Sequence, residues 1–145
     1  MTIKYLSGNR ISGLSSDANA TGGTITTSGG KRIHIFTASG DIFRPSSAFN
    51  VEYLVVAGGG AGGDDSGGGG GAGGFRTATG YAVTAQSYTV TVGAGSTGGI
   101  GDANIAGGNG DDSSITPTSG TTITSTGGGG GASNSDGQAG VFGNG

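Results

Sequence analysis

The pattern of hydrophobic and polar positions predicts short β-strands along the whole chain. The strongest signal is Val51–Ala57, an apolar run that only Glu52 interrupts, which is typical of a central strand covered on both faces. Tyr88–Val92 alternates apolar residues with threonine, as a strand with one buried face does. Further strands are predicted at Arg32–Thr37, Asp41–Phe43, Tyr81–Val83, Ser114–Thr116 and Thr121–Ser125. No ten-residue stretch has a helical period free of glycine breaks, so we expect an all-β fold.

The first two predicted strands of this group, Arg32–Thr37 and Asp41–Phe43, are separated by the turn signal Ala38-Ser39-Gly40. Ahead of them, residues 17–30 are rich in Thr, Ser, Gly and Ala, which favours a linker or an exposed β-arm. We therefore divide the chain near Lys31. Residues 1–30 form an N-terminal attachment strand and arm, and residues 31–145 form a glycine-rich β domain.

The N-terminal segment, residues 1–16, has apolar positions broken by Gly8-Asn9 and Ser12-Gly13, a pattern that favours a short strand with turns. Its apolar side chains are the candidates for attachment or assembly contacts between subunits. They are Ile3, Tyr5, Leu6, Ile11 and Leu14.

Glycine supplies 38 of the 145 residues, in blocks that directly follow or precede the predicted strands. Ordering a glycine costs roughly 0.5–1 kcal/mol more than ordering an alanine, so the blocks are either loose linkers or held by neighbouring backbones. Polyglycine can form extended three-fold helices that hydrogen-bond to one another, and only glycine with occasional Ala or Ser fits inside such a bundle. Residues 67–74, 107–110 and 127–132 suit this alternative.

The remaining composition predicts assembly of several chains. Hydrophobic residues make up 31% and charged residues 10% of the chain, which leaves a thin core and suggests packing driven by the backbone. Poorly cored domains are commonly stabilised by oligomerisation. The expected fold is a small β-sandwich-like core with glycine-rich loops, or polyglycine II helices, completed by identical copies.

Charge and cysteine content exclude several classes of function. The net charge is -3 and only six residues are basic, so no cationic stripe is available for nucleic acid. The chain has no cysteine, which excludes disulfides and thiolate zinc sites. The N-terminus lacks the apolar region of a secretory signal, and no stretch is long enough to span a membrane. We expect no membrane insertion and a virion location, with an extracellular filament as the alternative.

Two glycine motifs resemble ligand sites but lack their context. Gly58-x-Gly60-x-x-Gly63 follows a strand as a dinucleotide fingerprint does, yet the residues after it are acidic and glycine-rich instead of helical. Residues 107–112 resemble one calcium-binding nonapeptide repeat, and a lone repeat cannot form that site. A cation bound by acidic loops across a subunit interface is the alternative that stays open. We expect no metal and no cofactor.

Catalytic residues are not predicted either. His34 is the only histidine and lies between two isoleucines on a predicted strand. An enzyme would need a nucleophile, a base or a metal beside it, and no such group is visible in the sequence. We expect a non-enzymatic protein in which His34 faces solvent or an interface.

The succession of blocks resembles the glycine-rich domain of bacteriophage tail-fibre and receptor-binding proteins, over residues 24–145. The segments that carry this resemblance are Val51–Gly63, Gly70–Arg76, Tyr88–Gly93, Gly108–Ile115 and Thr121–Gly130.

The resemblance implies a structural virion protein, commonly trimeric, that presents loops to a bacterial surface glycan or an outer-membrane protein. In that arrangement Val51–Ala57 and Tyr88–Val92 are core strands. The exposed loops that would contact the receptor are Asp64, Asp65 and Ser66, and Asn134 and Asp136. The alternative is a self-polymerising filament subunit in which residues 1–16 pair with an open sheet edge of the next copy.

Overall fold

The computed structural model of the chain describes residues 19–64, 66–98 and 105–133. These residues form nine strands: β1 (Ala20–Thr21), β2 (Thr24–Ser28), β3 (Lys31–Ile35), β4 (Ile42–Pro45), β5 (Phe49–Val56), β6 (Phe75–Val83), β7 (Tyr88–Thr91), β8 (Ser113–Pro117) and β9 (Ile123–Ser125). Every pairing between them is antiparallel. The all-β prediction is confirmed. The residues that the structure describes include no helix that could cross a membrane.

Three sheets make up the strand region. The largest has the order β1-β4-β7-β8-β9, and the other two are the ribbons β2–β3 and β5–β6. The β5–β6 ribbon contacts β8 and β9. Its buried side chains and those of the large sheet form a small apolar core that includes Val55, Val83, Tyr88, Val90 and Ile123.

The β2–β3 ribbon is a hairpin closed by Gly29 and Gly30, whose φ values of 56° and 75° fit a two-residue type I′ turn. The predicted turn at residues 38–40 does lie between β3 and β4, but the two strands do not pair with each other: β3 pairs with β2, and β4 pairs with β1 and β7. The strand β3 pairs with β2 because two adjacent glycines with positive φ form a tight turn that matches the twist of antiparallel strands. Part of the segment that the sequence assigned to a linker or β-arm is thus a strand.

Side chains of β3 hold this hairpin against the rest of the molecule. Lys31 forms an ion pair with Glu52 of β5 at 2.6 Å. His34 is half-buried, places its Nδ1 2.8 Å from the carbonyl oxygen of Gly22, and packs edge-on against Phe43. These contacts compensate for the low intrinsic stability of an isolated two-stranded ribbon.

The expectation that Val51–Ala57 lies centrally in a sheet is wrong for the single chain. Among the strands of the structure, β5 pairs with β6 alone. Its burial alternates: Val55 is buried, whereas Leu54 is 57% and Val56 is 50% exposed. The sequence predicts that both faces of this apolar strand are covered, but the described residues cover only one face.

The glycine blocks are straight continuations of the strands. We call them together the glycine bundle, which consists of residues 57–64 after β5, 67–74 before β6, 92–98 after β7, 105–112 before β8, and 126–133 after β9. Residues 57–64 exchange backbone hydrogen bonds with the other four segments. The bundle is therefore an ordered extension of the strand region.

Hydrogen bonds inside the bundle repeat every third residue. The N–H groups of Gly58, Ala61 and Asp64 donate to residues 111, 108 and 105, and those of residues 57, 60 and 63 donate to residues 74, 71 and 68. The N–H groups of residues 128 and 131 return bonds to the carbonyls of residues 58 and 61. A spacing of three differs from the two-residue alternation of a β-ladder, and it is the spacing that an extended helix with three residues per turn provides.

Close approach of the segments explains why glycine occupies them. A Cβ on Gly60 would overlap the carbonyl of Gly129, whereas a Cβ on Gly59 would find its nearest atom, the Ala72 oxygen, at 3.5 Å. Overlap with a backbone carbonyl recurs at other glycines of the bundle: Gly58, Gly63, Gly70, Gly107, Gly110, Gly127, Gly128, Gly130 and Gly131. The steric requirement is thus specific to positions within each block.

Polar side chains complete the hydrogen bonding on one side of residues 126–133. The Asn109 Oδ1 accepts from the Gly130 N–H, and the Asp112 Oδ1 accepts from the Gly127 N–H, each at 2.8 Å. Ser113 accepts from the Gly93 N–H at the same distance. Asn109 and Asp112 are three residues apart, so they follow the same repeat as the backbone bonds.

Candidate functional site

The bundle has two different ends. At one end all five segments join strands. Residues 57–64, 92–98 and 126–133 run away from the strands, and residues 67–74 and 105–112 run back towards them. The opposite end, which we call the loop end, therefore collects the chain reversals. It comprises residues 64, 66–68, 105 and 132–133.

Backbone hydrogen bonds fix the parts of the loop end to one another. The Asp64 N–H donates to the carbonyl of Ile105 at 3.0 Å, and the Gly68 N–H donates to the carbonyl of Ala132 at 2.8 Å. The Gly63 N–H donates to Gly68 at 2.9 Å, which closes the reversal between the first two segments. Three stretches far apart in sequence thus meet within hydrogen-bonding distance.

Two of the residues predicted to contact a receptor lie at this end. Asp64 is half-buried, and Ser66 is exposed. Ser66 has a φ of 61°, and it is the single non-glycine residue with positive φ in the described ranges. Such a conformation is uncommon for a residue with a Cβ and tends to occur where a tight turn or a functional loop demands it.

The other predicted residues fall outside the part of the chain that the structure describes. These are Asp65, Asn134 and Asp136 of the loops, and the assembly candidates Ile3, Tyr5, Leu6, Ile11 and Leu14. The described neighbours of both loops, Asp64 on one side and Ser133 on the other, nevertheless lie at the same end of the bundle. The structure therefore brings Asp64 and Ser133, which adjoin the two predicted contact segments in sequence, to one end of the bundle.

Sequence reasoning missed Ile105. Its side chain is 51% exposed at the loop end, while its carbonyl is held by Asp64. A single isoleucine between glycine-rich stretches has no periodic signal of its own. The alternation of strand, glycine block and returning glycine block was the available clue, because antiparallel blocks place their connections at one end.

The chemistry available at the loop end is that of a contact surface. Its described residues offer the Asp64 carboxylate, the exposed Ser66 hydroxyl, the exposed side chain of Ile105 and backbone amides. Across the described ranges, no group of three or more His, Asp, Glu or Cys side chains is placed to hold a metal ion. Such a mixture of apolar and polar groups suits recognition of an external partner.

Comparison with protein families supports the description of the chain as glycine-rich. Residues 36–145, about three quarters of the chain, match the family model of the glycine-rich domain. The chain therefore belongs to the glycine-rich domain family. Neither a curated protein nor a solved structure gives a significant match.

Proposed function

We propose that this chain is a structural, non-enzymatic subunit of a bacteriophage tail fibre or adhesin, which oligomerises and contacts a bacterial surface. The observation that supports the proposal best is the glycine bundle itself: an ordered extension of the strands that carries chain reversals at its free end. The resemblance of the glycine blocks to tail-fibre and receptor-binding proteins adds the biological setting.

The bundle has the properties of a support. Its segments are joined by backbone hydrogen bonds of 2.7–3.0 Å, and it fixes the distance between the strand region and the loop end. Gly73 is the one glycine among these described segments with positive φ, so the others avoid the left-handed conformations that favour glycine. Together with the three-residue repeat, this favours packed polyglycine II helices over flexible linkers.

The loop end is the proposed contact with the bacterium. Ser66 and Ile105 expose a hydroxyl and an apolar side chain there. A surface glycan or an outer-membrane protein presents hydroxyl, amide and apolar groups that such a surface can bind. This partner class follows the resemblance and the chemistry of the exposed groups.

Binding to cells tests the proposal. Labelled protein is mixed with a panel of bacteria, and bound label is measured for the unmodified chain and two variants, Ile105→Glu and Ile25→Glu. Both positions are exposed isoleucines, but Ile25 lies in β2, away from the loop end. We expect saturable binding to some strains that Ile105→Glu weakens and Ile25→Glu preserves. Absence of binding to every strain, or equal loss in both variants, would contradict a receptor contact at the loop end.

A self-polymerising filament is the second candidate. It is favoured by the ribbons β2–β3 and β5–β6, each of which has a strand edge that no other described strand pairs. An N-terminal segment from the next copy could add to such an edge. Deleting residues 2–16 should then abolish fibres and leave the circular dichroism spectrum of the domain intact. Fibres that persist after the deletion exclude strand exchange.

Electron microscopy of negatively stained protein, combined with its solution mass, separates the two candidates. A discrete oligomer supports the fibre or adhesin subunit. Long uniform filaments support the second candidate and direct attention to the N-terminal segment.

A further inference from the structure

The outer face of the β5–β6 ribbon is apolar, and no other described part of the chain covers it. Val56 lies opposite Phe75 in the register, and Leu54 lies opposite Thr77, which places these side chains on one face. The side chain of Phe75 is 69% exposed, compared with 57% for Leu54 and 50% for Val56. Three large apolar side chains side by side form a patch, unlike the single exposed hydrophobic residues that are normal on any surface.

The β2–β3 hairpin carries a second exposed apolar face. Glu52 belongs to the same alternating set of β5 as Leu54 and Val56, and its carboxylate pairs with Lys31. Within β3, period-two alternation places Ile33 and Ile35 on the face of Lys31. The ion pair thus links the two strands that carry these apolar faces. Together the faces hold five of the seven large hydrophobic side chains that are exposed in the described ranges. We call this set the apolar face: Ile33, Ile35, Leu54, Val56 and Phe75.

The charges near the apolar face leave it neutral. Lys31 and Glu52 neutralise each other. Arg76, the nearest cation in sequence, lies opposite buried Val55 and donates from Nη1 to the carbonyl of Thr124 at 3.1 Å, so it is committed away from the outer face. A nucleic acid or an anionic membrane would select an excess of positive charge. An uncharged apolar centre with a polar margin is the layout of a contact between proteins.

We propose that the apolar face is a contact between two copies of this chain. Two features identify a second copy as the occupant. The strand β5 has the composition of a strand covered on both faces, yet the described residues of its own chain cover one. A face whose one cation and one anion neutralise each other can also pair with itself about a two-fold axis, because no net like charges are then brought together. The inference rests on the assembly of copies in the proposed function and adds the surface by which it occurs.

A charge-insertion pair tests the contact. Leu54→Lys and Ile105→Lys each add a cation at a side chain that is more than half exposed, so neither should perturb the single chain. Sedimentation equilibrium over a range of concentrations measures self-association, and circular dichroism checks folding. We expect Leu54→Lys to raise the dissociation constant by about tenfold or more, whereas Ile105→Lys leaves it unchanged. Unmodified protein that stays at the 13.6 kDa monomer mass up to high concentration overturns the inference.

Cross-linking gives a second readout that does not depend on the charged variant folding. The chain has no cysteine, so Leu54→Cys and Ile105→Cys each introduce a single thiol. Under mild oxidation or with a short bismaleimide, we expect a dimer-sized product from Leu54→Cys and none from Ile105→Cys. If the Leu54→Lys variant still forms oligomers and the Leu54→Cys variant does not cross-link, the contact between copies lies elsewhere. That result refutes the apolar face as the contact, but it does not refute the proposed function. Binding to cells by a strictly monomeric protein also separates the two.

Discussion

The most direct test of the glycine bundle compares alanine at two adjacent glycines. Gly59 and Gly60 belong to the same segment, and neither has positive φ. An added Cβ on Gly59 meets its nearest atoms at 3.5 and 3.7 Å, which is ordinary van der Waals contact. An added Cβ on Gly60 overlaps the carbonyl of Gly129 and lies 2.7 Å from the oxygen of Gly128. The pair therefore holds composition and location nearly constant and changes only the space available.

The structure gives the sign and size of both effects. Alanine at residue 59 restricts the unfolded chain, so it should stabilise the protein by about 0.4–1 kcal/mol. Alanine at residue 60 can be accommodated only if residues 57–64 and 126–133 move apart. Insertion of a methyl group into a packed interior costs about 1–3 kcal/mol. The two bonds from residues 128 and 131 to the carbonyls of residues 58 and 61 would also weaken, at about 0.5–1.5 kcal/mol each. We expect Gly60→Ala to cost roughly 2–5 kcal/mol.

Thermal and urea unfolding followed by circular dichroism measure the difference. For a chain of this length, each kcal/mol shifts Tm by about 2–4 °C, so the two variants should lie well apart. The comparison is made at one protein concentration, because self-association itself raises apparent stability. Equal stability of Gly59→Ala and Gly60→Ala would refute the close approach of these segments. If the two variants are equally stable and both are less stable than the unmodified protein, glycine is needed at both positions for its backbone freedom and not for the space that it leaves.

Three further predictions concern side chains around the bundle and the core. Ser125 is buried and its hydroxyl has no hydrogen-bond partner in the described structure, whereas Ser113, its neighbour across the β8–β9 ladder, accepts a hydrogen bond from the Gly93 N–H. In urea unfolding, Ser125→Ala should therefore be neutral or stabilising, and Ser113→Ala should lower the free energy of unfolding by about 1–2 kcal/mol. The reverse order would contradict these hydrogen-bond assignments. Asn109→Ala should cost about 0.5–1.5 kcal/mol because the Gly130 N–H loses its side-chain acceptor, whereas Asn109→Asp keeps an acceptor and should retain most of the stability. Burial raises the pKa of Tyr88, but hydrogen bonds from Thr84 and Gln86 to its hydroxyl outweigh this, and the net pKa is lowered. The resulting stabilisation of the folded protein is present above the pKa that Tyr88 has in the unfolded chain, and it is lost as the pH falls through the pKa of Tyr88 in the folded protein. Ultraviolet titration should show one tyrosine that ionises at lower pH than the others, and Tyr88→Phe should remove that component.

The strands could largely be predicted, because alternation of apolar and polar residues reports which face of a strand is buried. The Tyr88–Val92 signal corresponds to β7, and Ser114–Thr116 corresponds to the centre of β8. The pairing of strands could not be read in the same way. The sequence placed a turn signal between β3 and β4, but the type I′ turn at Gly29 and Gly30 directs β3 to β2 instead. In a chain so rich in glycine, composition alone does not distinguish a hairpin turn from a linker.

The candidate site was only partly accessible from sequence for a related reason. Asp64 and Ser66 stand out because charged and hydroxyl residues interrupt a glycine run. Ile105 does not, because its role depends on the antiparallel return of residues 105–112 beside residues 57–64. That register is set by backbone hydrogen bonds, which leave no side-chain pattern to detect. Close approach shows in the sequence only as a preference for glycine.

In the proposed function, the glycine bundle holds the loop end in place through hydrogen bonds between backbone atoms. In an ordinary β-domain, loop residues often pack on the side chains of the strands below, so a change in the loop alters stability. Here the segments beneath the loop end bind one another through their own N–H and C=O groups, with Asn109 and Asp112 as side-chain acceptors nearer the strands. Substitutions at Ser66 or Ile105 should therefore alter binding with little effect on folding.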